Sequence, residues 1–328
     1  MPIELQQAIE AHMASQSGKP DLCGLMAARE DLTLRYRQRD FSQECMISAT
    51  HRNAYVVTRM PATYAVVQRV MSEIRHRLPD MPLAHLLDLG AGPGTVMWAA
   101  LEVFESIESI AHLEQDLGLI DMGKKFAAFS NKPPCTSSEW HHGDMRQGDV
   151  RKAVLSKKTY DCISLSYALG ELPPADAQTV VRDAWCAAKH MLVIIEPGTP
   201  YGFETIRMAR SMLIKAGANI IAPCPHAAAC PMATSDWCHF AQRLERTGLH
   251  RRVKDAALGH EDEKYSYIAV AKTPAPLPYA RILRHPQRHS GHVGLTLCTA
   301  DGVVQQTISR KSGELYKHAR KAEWGEAL

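Results

Sequence analysis

Apolar residues recur along this chain with two different spacings, and the switch from one to the other marks out its elements. Helical spacing prevails over residues 1–80, where Leu5, Ile9 and Met13 form a short stripe. Tyr64, Val67, Met71, Ile74 and Leu78 form a stronger one, closed by Pro79. Pro61, within Arg59-Met-Pro-Ala-Thr63, falls in a first helical turn, where a missing N–H costs nothing. Shorter runs, most of them rich in apolar residues, then take over, and 86–89, 107–113, 140–142, 162–166, 191–196 and 265–271 read as strands. Helical stretches separate most of them. One carries Val96, Ala99, Ala100, Val103 and Phe104, and another, over 201–217, carries Phe203, Ile206, Met208, Met212 and Leu213. That alternation predicts an α/β fold with a parallel, doubly wound sheet. After the linker Pro274-Ala-Pro-Leu-Pro278, the runs 292–298 and 303–308 flank Thr299-Ala-Asp-Gly302, which signals a hairpin, and 314–324 reads as a basic helical tail. The organisation expected is a helical region (1–80), a sheet domain (81–273) and a C-terminal extension (274–328).

The stretch Leu86-Leu-Asp-Leu-Gly-Ala-Gly-Pro-Gly-Thr95 is the most informative in the chain. A buried strand ends on Asp88 and breaks into Gly90, Gly92 and Gly94 at alternate positions, and a helix follows. Glycine admits positive φ and a close approach to the main chain, and the helix start offers unpaired N–H groups to a polar ligand. Glu114, at the end of the next candidate strand, stands where an acidic group can hydrogen-bond ribose hydroxyls.

Asp-x-Gly-x-Gly-x-Gly differs from the dinucleotide fingerprint and resembles motif I of the class I S-adenosylmethionine-dependent methyltransferases. The resemblance implies that Asp88, Gly90, Gly92 and Gly94 line the methionine end, that Glu114 holds the ribose, and that Asp144, after Trp140, sits beside the adenine. After the fourth strand, a base-amine methyltransferase would carry Asn/Asp-Pro-Pro-Tyr. Here the residues are Ser166-Tyr-Ala-Leu-Gly-Glu-Leu-Pro-Pro174. Cys162 lies inside an apolar strand, where an inert thiol is expected rather than a nucleophile. Glu171 could serve as a general base, but no catalytic residue is assigned.

Composition narrows the class. With 45% apolar and 22% charged residues the chain is that of a soluble globular protein, and no stretch approaches the roughly 20 apolar residues of a membrane span. The opening Met-Pro-Ile-Glu-Leu-Gln-Gln lacks a signal-peptide profile, so a cytoplasmic location is expected. Nine cysteines in such a chain point to metal binding where they cluster, rather than to disulfides. They cluster over 222–240, where Cys224, Cys230 and Cys238 follow the spacing Cys-x5-Cys-x7-Cys in a loop with little to bury except Trp237 and Phe240. Thiolates on a soft metal centre would order it. A tetrahedral zinc or a four-iron cluster wants a fourth ligand. His226 and His239 are the local candidates and would favour zinc, and Cys298 is the distant one. Cys23, Cys45, Cys135, Cys162 and Cys186 are isolated.

A net charge of +3 implies no nucleic acid by itself, so the distribution matters more than the total. The basic run Leu34-Arg-Tyr-Arg-Gln-Arg39 reads as a solvated helix face. Residues 241–254 hold Arg243, Arg246, Arg251, Arg252 and Lys254 against Glu245 alone. Residues 274–328 hold eight Lys or Arg, among them Arg281, Arg284, Arg310 and Lys311, against four Asp or Glu. A metal shared between the cysteine loop and the extension would join the two segments into one phosphate-binding face.

Arg59-Met-Pro-Ala-Thr-Tyr64, Asp88-Leu-Gly-Ala-Gly-Pro-Gly94, Ser166-Tyr-Ala-Leu-Gly-Glu-Leu172, Glu196-Pro-Gly-Thr-Pro200, the cysteine loop and Glu261-Asp-Glu-Lys-Tyr-Ser266 together resemble a known family. It is that of the methyltransferase-like assembly factors of the mitochondrial small ribosomal subunit, specifically their bacterial relatives. The resemblance implies a class I methyltransferase Rossmann-like sheet, preceded by helices and carrying a cysteine-rich metal-binding insertion and a basic hairpin extension. It further implies a 4Fe–4S cluster on Cys224, Cys230, Cys238 and Cys298, with zinc as the alternative. The partners it implies are small-subunit rRNA and the assembling small subunit, met by a monomer. Without the long presequence of mitochondrial members, the bacterial cytoplasm is expected. An active S-adenosylmethionine-dependent rRNA methyltransferase is the alternative function. A small-molecule methyltransferase, the third reading, would have no affinity for RNA.

Overall fold

The structure is a computed structural model that describes residues 1–15, 21–38, 40–41, 46–233 and 235–328. Arg39 of the basic run, Cys45 and Thr234 of the cysteine loop lie outside the described residues. Among the described residues, no helix is long and apolar enough to cross a membrane.

Four helices come first: α1 (Ile3–Ser15), α2 (Leu22–Gln38), α3 (Ala49–Thr58) and α4 (Met60–Arg77). Next are β1 (His85–Leu89), α5 (Thr95–Val103), β2 (Ser109–Glu114), α6 (Leu117–Ala127), α7 (Pro133–Thr136), β3 (Glu139–His142) and α8 (Gly148–Leu155). β4 (Tyr160–Ser166), α9 (Pro174–Ala187), β5 (Ala188–Pro197), α10 (Pro200–Lys215), β6 (Asn219–Ala222), β7 (Phe240–Glu245), α11 (Gly248–Val253) and β8 (His260–Ala271) follow. The chain closes with β9 (Arg281–Ile282), β10 (Gln287–Arg288), β11 (His292–Thr299), β12 (Gly302–Ser309) and α12 (Glu314–Lys321). It forms two compact units, one of residues 1–193 and 242–263, the other of 194–241 and 264–328. The two units interleave along the chain. The boundaries fall inside β5 and β8 and within β7.

In the first unit the strand order is β3-β2-β1-β4-β5. β1 pairs in parallel with β2 and β4, and β2 with β3. β1 and β4 are buried along almost all their length, which explains why Leu86, Leu87, Cys162, Ile163 and Leu165 give apolar runs rather than an alternation. This order of parallel strands with intervening helices is the Rossmann-like, doubly wound class I methyltransferase fold. α4 packs on α5, and Val67, Met71 and Ile74 of the predicted stripe are buried. Pro61 sits in the first turn of α4, as its sequence position requires.

Near the start of the second unit lies Glu196-Pro-Gly-Thr-Pro200. A Cβ on Gly198 would lie 2.6 Å from the Tyr265 nitrogen, so only glycine fits. The Thr199 hydroxyl accepts the Gly202 N–H and caps α10. β6 runs antiparallel to β8. β11 and β12 form the expected hairpin, closed at Thr299↔Gly302 so that its two loop residues are Ala300 and Asp301. Its core is Ala280, Ile282, Val293, Leu295, Leu297 and Ile308, with Ala319 of α12 packed in.

Candidate functional site

The glycine loop of the first unit is built from the end of β1 outward. Asp88 is buried, and one of its oxygens accepts the Ser164 hydroxyl of β4 at 2.7 Å. Its other oxygen, Oδ2, is buried with no hydrogen-bond partner among the described residues. Burial pushes the carboxyl up to about 7, because the charged form loses its hydration. Gly90, Gly92 and Gly94 all lie in the left-handed region, at φ +74°, +55° and +78°. A Cβ on Gly90 would come within 2.6 Å of Ala168 Cβ and 2.7 Å of Met145 Cε, whereas one on Gly92 would meet only the Tyr55 hydroxyl, at 3.7 Å. The first glycine is therefore required by packing and the second is open to an incoming group.

Glu114 is drawn inward to this loop. One carboxylate oxygen accepts the Gly92 N–H at 2.7 Å and the other the Asp116 N–H at 2.8 Å. Burial raises its pKa while the Asp116, Gly92 and Gln115 amides lower it, and burial wins. A carboxylate offers about four lone-pair sites, so accepting a hydroxyl remains chemically open to it. Asp144 instead pairs with Arg146, whose guanidinium lies 2.6 Å from Oδ2. Trp140 stacks on His112 at 4.1 Å, and a Cβ on Gly94 would touch its ring at 3.1 Å. His112 is fully buried and is held neutral, pushed down to about 3 by burial.

Sequence reasoning did not assign the groups that α3 and α4 bring to this loop. Tyr55 faces Gly92, and burial raises its pKa. Arg59 pairs with Glu263 at 3.0 Å, with its guanidinium 5.9 Å from the Tyr167 ring centroid. Tyr167, directly after β4, holds φ +59°, an uncommon conformation for a bulky residue.

In the second unit, Cys224, Cys230, Cys238 and Cys298 line a single cavity with Phe203, Met232, Leu283, His226, Arg210 and Arg281. Among the described residues, no group of three or more His, Cys, Asp or Glu side chains stands in metal-holding array. The four thiols nevertheless act on one another. Burial first and the other three thiols second hold Cys238 well above the ordinary thiol range, and Cys298 is pushed up to about 12 by burial and by Cys224 and Cys230. Such thiols stay protonated until a cation offsets the thiolates, which suits a soft metal centre whose binding releases protons. Of the histidine candidates, His226 lines the cavity, with Nε2 3.5 Å from Cys298 Sγ. His239 stacks on Trp237 instead.

The stretches quoted for the resemblance all fall within residues 49–328, which match the family described as mitochondrial small ribosomal subunit Rsm22. The chain belongs to the Rsm22 family. It is 27% identical over 290 residues to the human mitochondrial ribosome assembly protein METTL17, covering 84% of this chain and 61% of that protein. It is also 27% identical over 332 residues to Rsm22-cox11 tandem protein 2 of Schizosaccharomyces pombe mitochondria, covering 83% of this chain and 42% of that protein. The chain thus spans less than two thirds of either relative. Among solved structures, an O-methyltransferase family protein from Burkholderia thailandensis aligns with 79% of this chain and 74% of its own, at 11% identity and a TM-score of 0.46. The Rsm22 match leaves out α1 and α2.

The basic residues of this Rsm22-family chain divide into paired and presented groups. Arg246 and Lys254 both clasp Glu261, at 2.8 Å and 2.6 Å, beside the buried His250. Arg243 pairs with Asp262, and Arg284 with Asp236. Arg281 corrects the sequence reading: it is 1% exposed, and its guanidinium donates to the carbonyls of Pro223 and Gly325. Two-residue β9 offers no periodicity from which that burial could be read. Arg251 and Arg252 on α11, with Arg310 and Lys311 after β12, are exposed.

Proposed function

We propose that this chain is a small-ribosomal-subunit assembly factor that binds S-adenosylmethionine, or its demethylated product, at the glycine loop and holds a 4Fe–4S cluster on its four clustered cysteines. The observation that carries the reading is the Rsm22-family match across residues 49–328. Among its relatives, the human one is a ribosome assembly protein. The unpartnered, buried Oδ2 of Asp88 supports the cofactor, whose ammonium would satisfy it. Gly92 leaves the main chain approachable, and Glu114 stands at the same loop for the ribose. When bound, S-adenosylmethionine supplies an electrophilic methyl group. The cluster would be held by Cys224, Cys230, Cys238 and Cys298, and would tie the hairpin extension to the loop after β6. Because metal binding is folding energy at such sites, it would order that loop. Zinc is the alternative occupant. Small-subunit rRNA would meet the exposed cations Arg251, Arg252, Arg310 and Lys311.

Binding rather than turnover fits the segment after β4. There the Asn/Asp-Pro-Pro-Tyr of base-amine enzymes is replaced by Ser166-Tyr-Ala-Leu-Gly-Glu171, with Ala168 seated against Gly90. Gradient sedimentation of cell extract tests the reading, with the chain expected among small-subunit precursors. Finding it only in the free protein fractions would refute it. Mapping small-subunit rRNA methyl marks with and without the gene then separates assembly from catalysis, since a mark that disappears makes the chain an rRNA methyltransferase.

A further inference from the structure

Arg210, on α10, is buried, with 5% of its surface exposed. Its Nη2 donates to the carbonyls of His226 and Ala228, at 2.8 Å and 2.7 Å. Its Nε donates to Cys224 Sγ at 3.3 Å. Those partners are two neutral carbonyls and one sulfur, so its hydrogen bonds to the described residues leave the full positive charge without a carboxylate. A buried cation left without a counter-charge is strongly disfavoured. A neutral thiol accepts only weakly, whereas a thiolate is a strong, charged acceptor. Arg210 also lines the cavity shared by the four thiols. Thiolates lining that cavity are thus the nearest groups able to supply a counter-charge.

We propose that Arg210 is the fixed counter-charge and sulfur hydrogen-bond donor of a metal–thiolate centre on Cys224, Cys230, Cys238 and Cys298. The inference rests on the cysteine-centre reading above and adds a positioning residue to it. A 4Fe–4S cluster and a tetrathiolate zinc are both anionic, so the role of Arg210 is the same for either. The N–H···S bond fixes Cys224 toward the centre, while the two carbonyl bonds hold residues 226–228 around it. For a redox-active centre, a buried positive charge at this distance favours the more reduced, more negative state.

The test uses the full chain, purified anaerobically and reconstituted with iron and sulfide, as wild type, Arg210→Gln and Arg210→Lys. Iron and sulfide content, the rate of iron loss to a chelator and the reduction potential are measured. Arg210→Gln should lose iron about tenfold faster or more, the range typical of outer-sphere metal partners, and what it retains should have a lower potential. Arg210→Lys, which keeps the charge, should stay close to wild type. Arg210→Gln that matches wild type in both readouts, or Arg210→Lys that loses as much as Arg210→Gln, overturns the proposal. If Arg210→Gln does not fold, Arg210→Lys decides alone: retention at the wild-type rate supports the role, and a tenfold loss removes it. If the wild type holds zinc, the same comparison is made with zinc loss. Wild-type protein that takes up neither iron and sulfide nor zinc refutes the cysteine-centre reading itself, an outcome distinct from a failure of Arg210 within a loaded centre.

Discussion

Glu114 holds the Gly92 amide, with Oε2 accepting its N–H at 2.7 Å, and so fixes the glycine loop to the end of β2. Glu114→Gln would turn an amide N–H₂ or a weaker carbonyl toward two backbone donors. The buried donor left unsatisfied should cost about 1–3 kcal/mol. Chemical denaturation should show that loss, and calorimetry should show weaker binding of S-adenosylhomocysteine. Unchanged stability would mean that the loop does not depend on this carboxylate.

The three glycines should not respond alike. A Cβ on Gly90 meets Ala168 and Met145 well inside contact distance and sits at φ +74°. Gly90→Ala should therefore destabilise by roughly 2–4 kcal/mol, overpacking and left-handed strain acting together. Gly92→Ala has space, so it should carry only the strain of φ +55°, on the order of 1–2 kcal/mol. Gly92→Val should fold yet abolish cofactor binding by blocking approach to the main chain. Equal melting temperatures for the two alanine variants would contradict this division.

Asp88 gives the pH dependence its sign. Its carboxyl is raised by burial from 3.8 to about 7, so between those values the folded chain keeps a proton that the unfolded chain has lost. Stability contributed by this group is present at low pH and falls as pH rises through that window, by on the order of 4 kcal/mol if it titrated alone. Asp88→Asn should flatten the fall. Affinity for a ligand bearing an ammonium should move the other way, rising as Asp88 ionises through about 7. A variant with the wild-type pH profile in both stability and affinity would exclude Asp88 as the cause.

The parts of this molecule that were legible in its sequence are those whose chemistry is local. β1 and β4 were readable because a strand buried on both faces leaves a mostly apolar run, interrupted here by Asp88 and by Ser164. The glycine loop was readable because positive φ at alternate positions demands glycine. β7 escaped because only Phe240 and Leu244 of its six residues are buried, too few to show a period. The first half of β8 escaped because His260 to Lys264 is polar throughout. Tyr55, which faces the loop, comes from α3, well before the loop in the chain, where nothing in its own neighbourhood announces a site. At the cysteine centre, spacing narrowed the fourth ligand to Cys298, His226 or His239. Only the fold showed that Cys298 and His226 share the cavity while His239 turns to Trp237.

If the four cysteines hold a metal, as proposed, its loss should weaken the second unit more than the first. Cys230 and Cys238 pack against Phe203, Met232, Leu283 and Cys298, a small cluster with little apolar surface of its own. Cys230→Ser, or treatment with a strong chelator, should lower the melting temperature and open the loop over 222–240 to protease. Anaerobically purified protein should hold iron and sulfide and absorb in the brown region. Stoichiometric zinc alone would replace the cluster by the alternative metal, and protease resistance that survives chelation would show that the loop needs no metal.

On the proposed reading, exposed cations carry the contact with the ribosomal subunit, and the structure sharpens which of them to change. Arg246 and Lys254 hold Glu261, and Arg284 holds Asp236, so reversing their charge would break packed pairs and confuse unfolding with weakened binding. Arg251 and Arg252 are exposed on α11, and Arg310 and Lys311 are exposed beyond β12. Reversing Arg251 and Arg252 to Glu should leave stability within about 0.5 kcal/mol of wild type, as expected for surface sites. Reversing Arg310 and Lys311 should do the same. If these cations neutralise phosphates, each reversed pair should reduce co-sedimentation with small-subunit precursors. The salt slope of rRNA binding should also fall by about one for each phosphate no longer neutralised. Arg281→Gln serves as the contrast, since a buried guanidinium on the Pro223 and Gly325 carbonyls should affect folding and leave the salt slope unchanged. If both reversed pairs co-sediment as well as wild type with the same salt slope, the RNA-binding face lies elsewhere on the molecule.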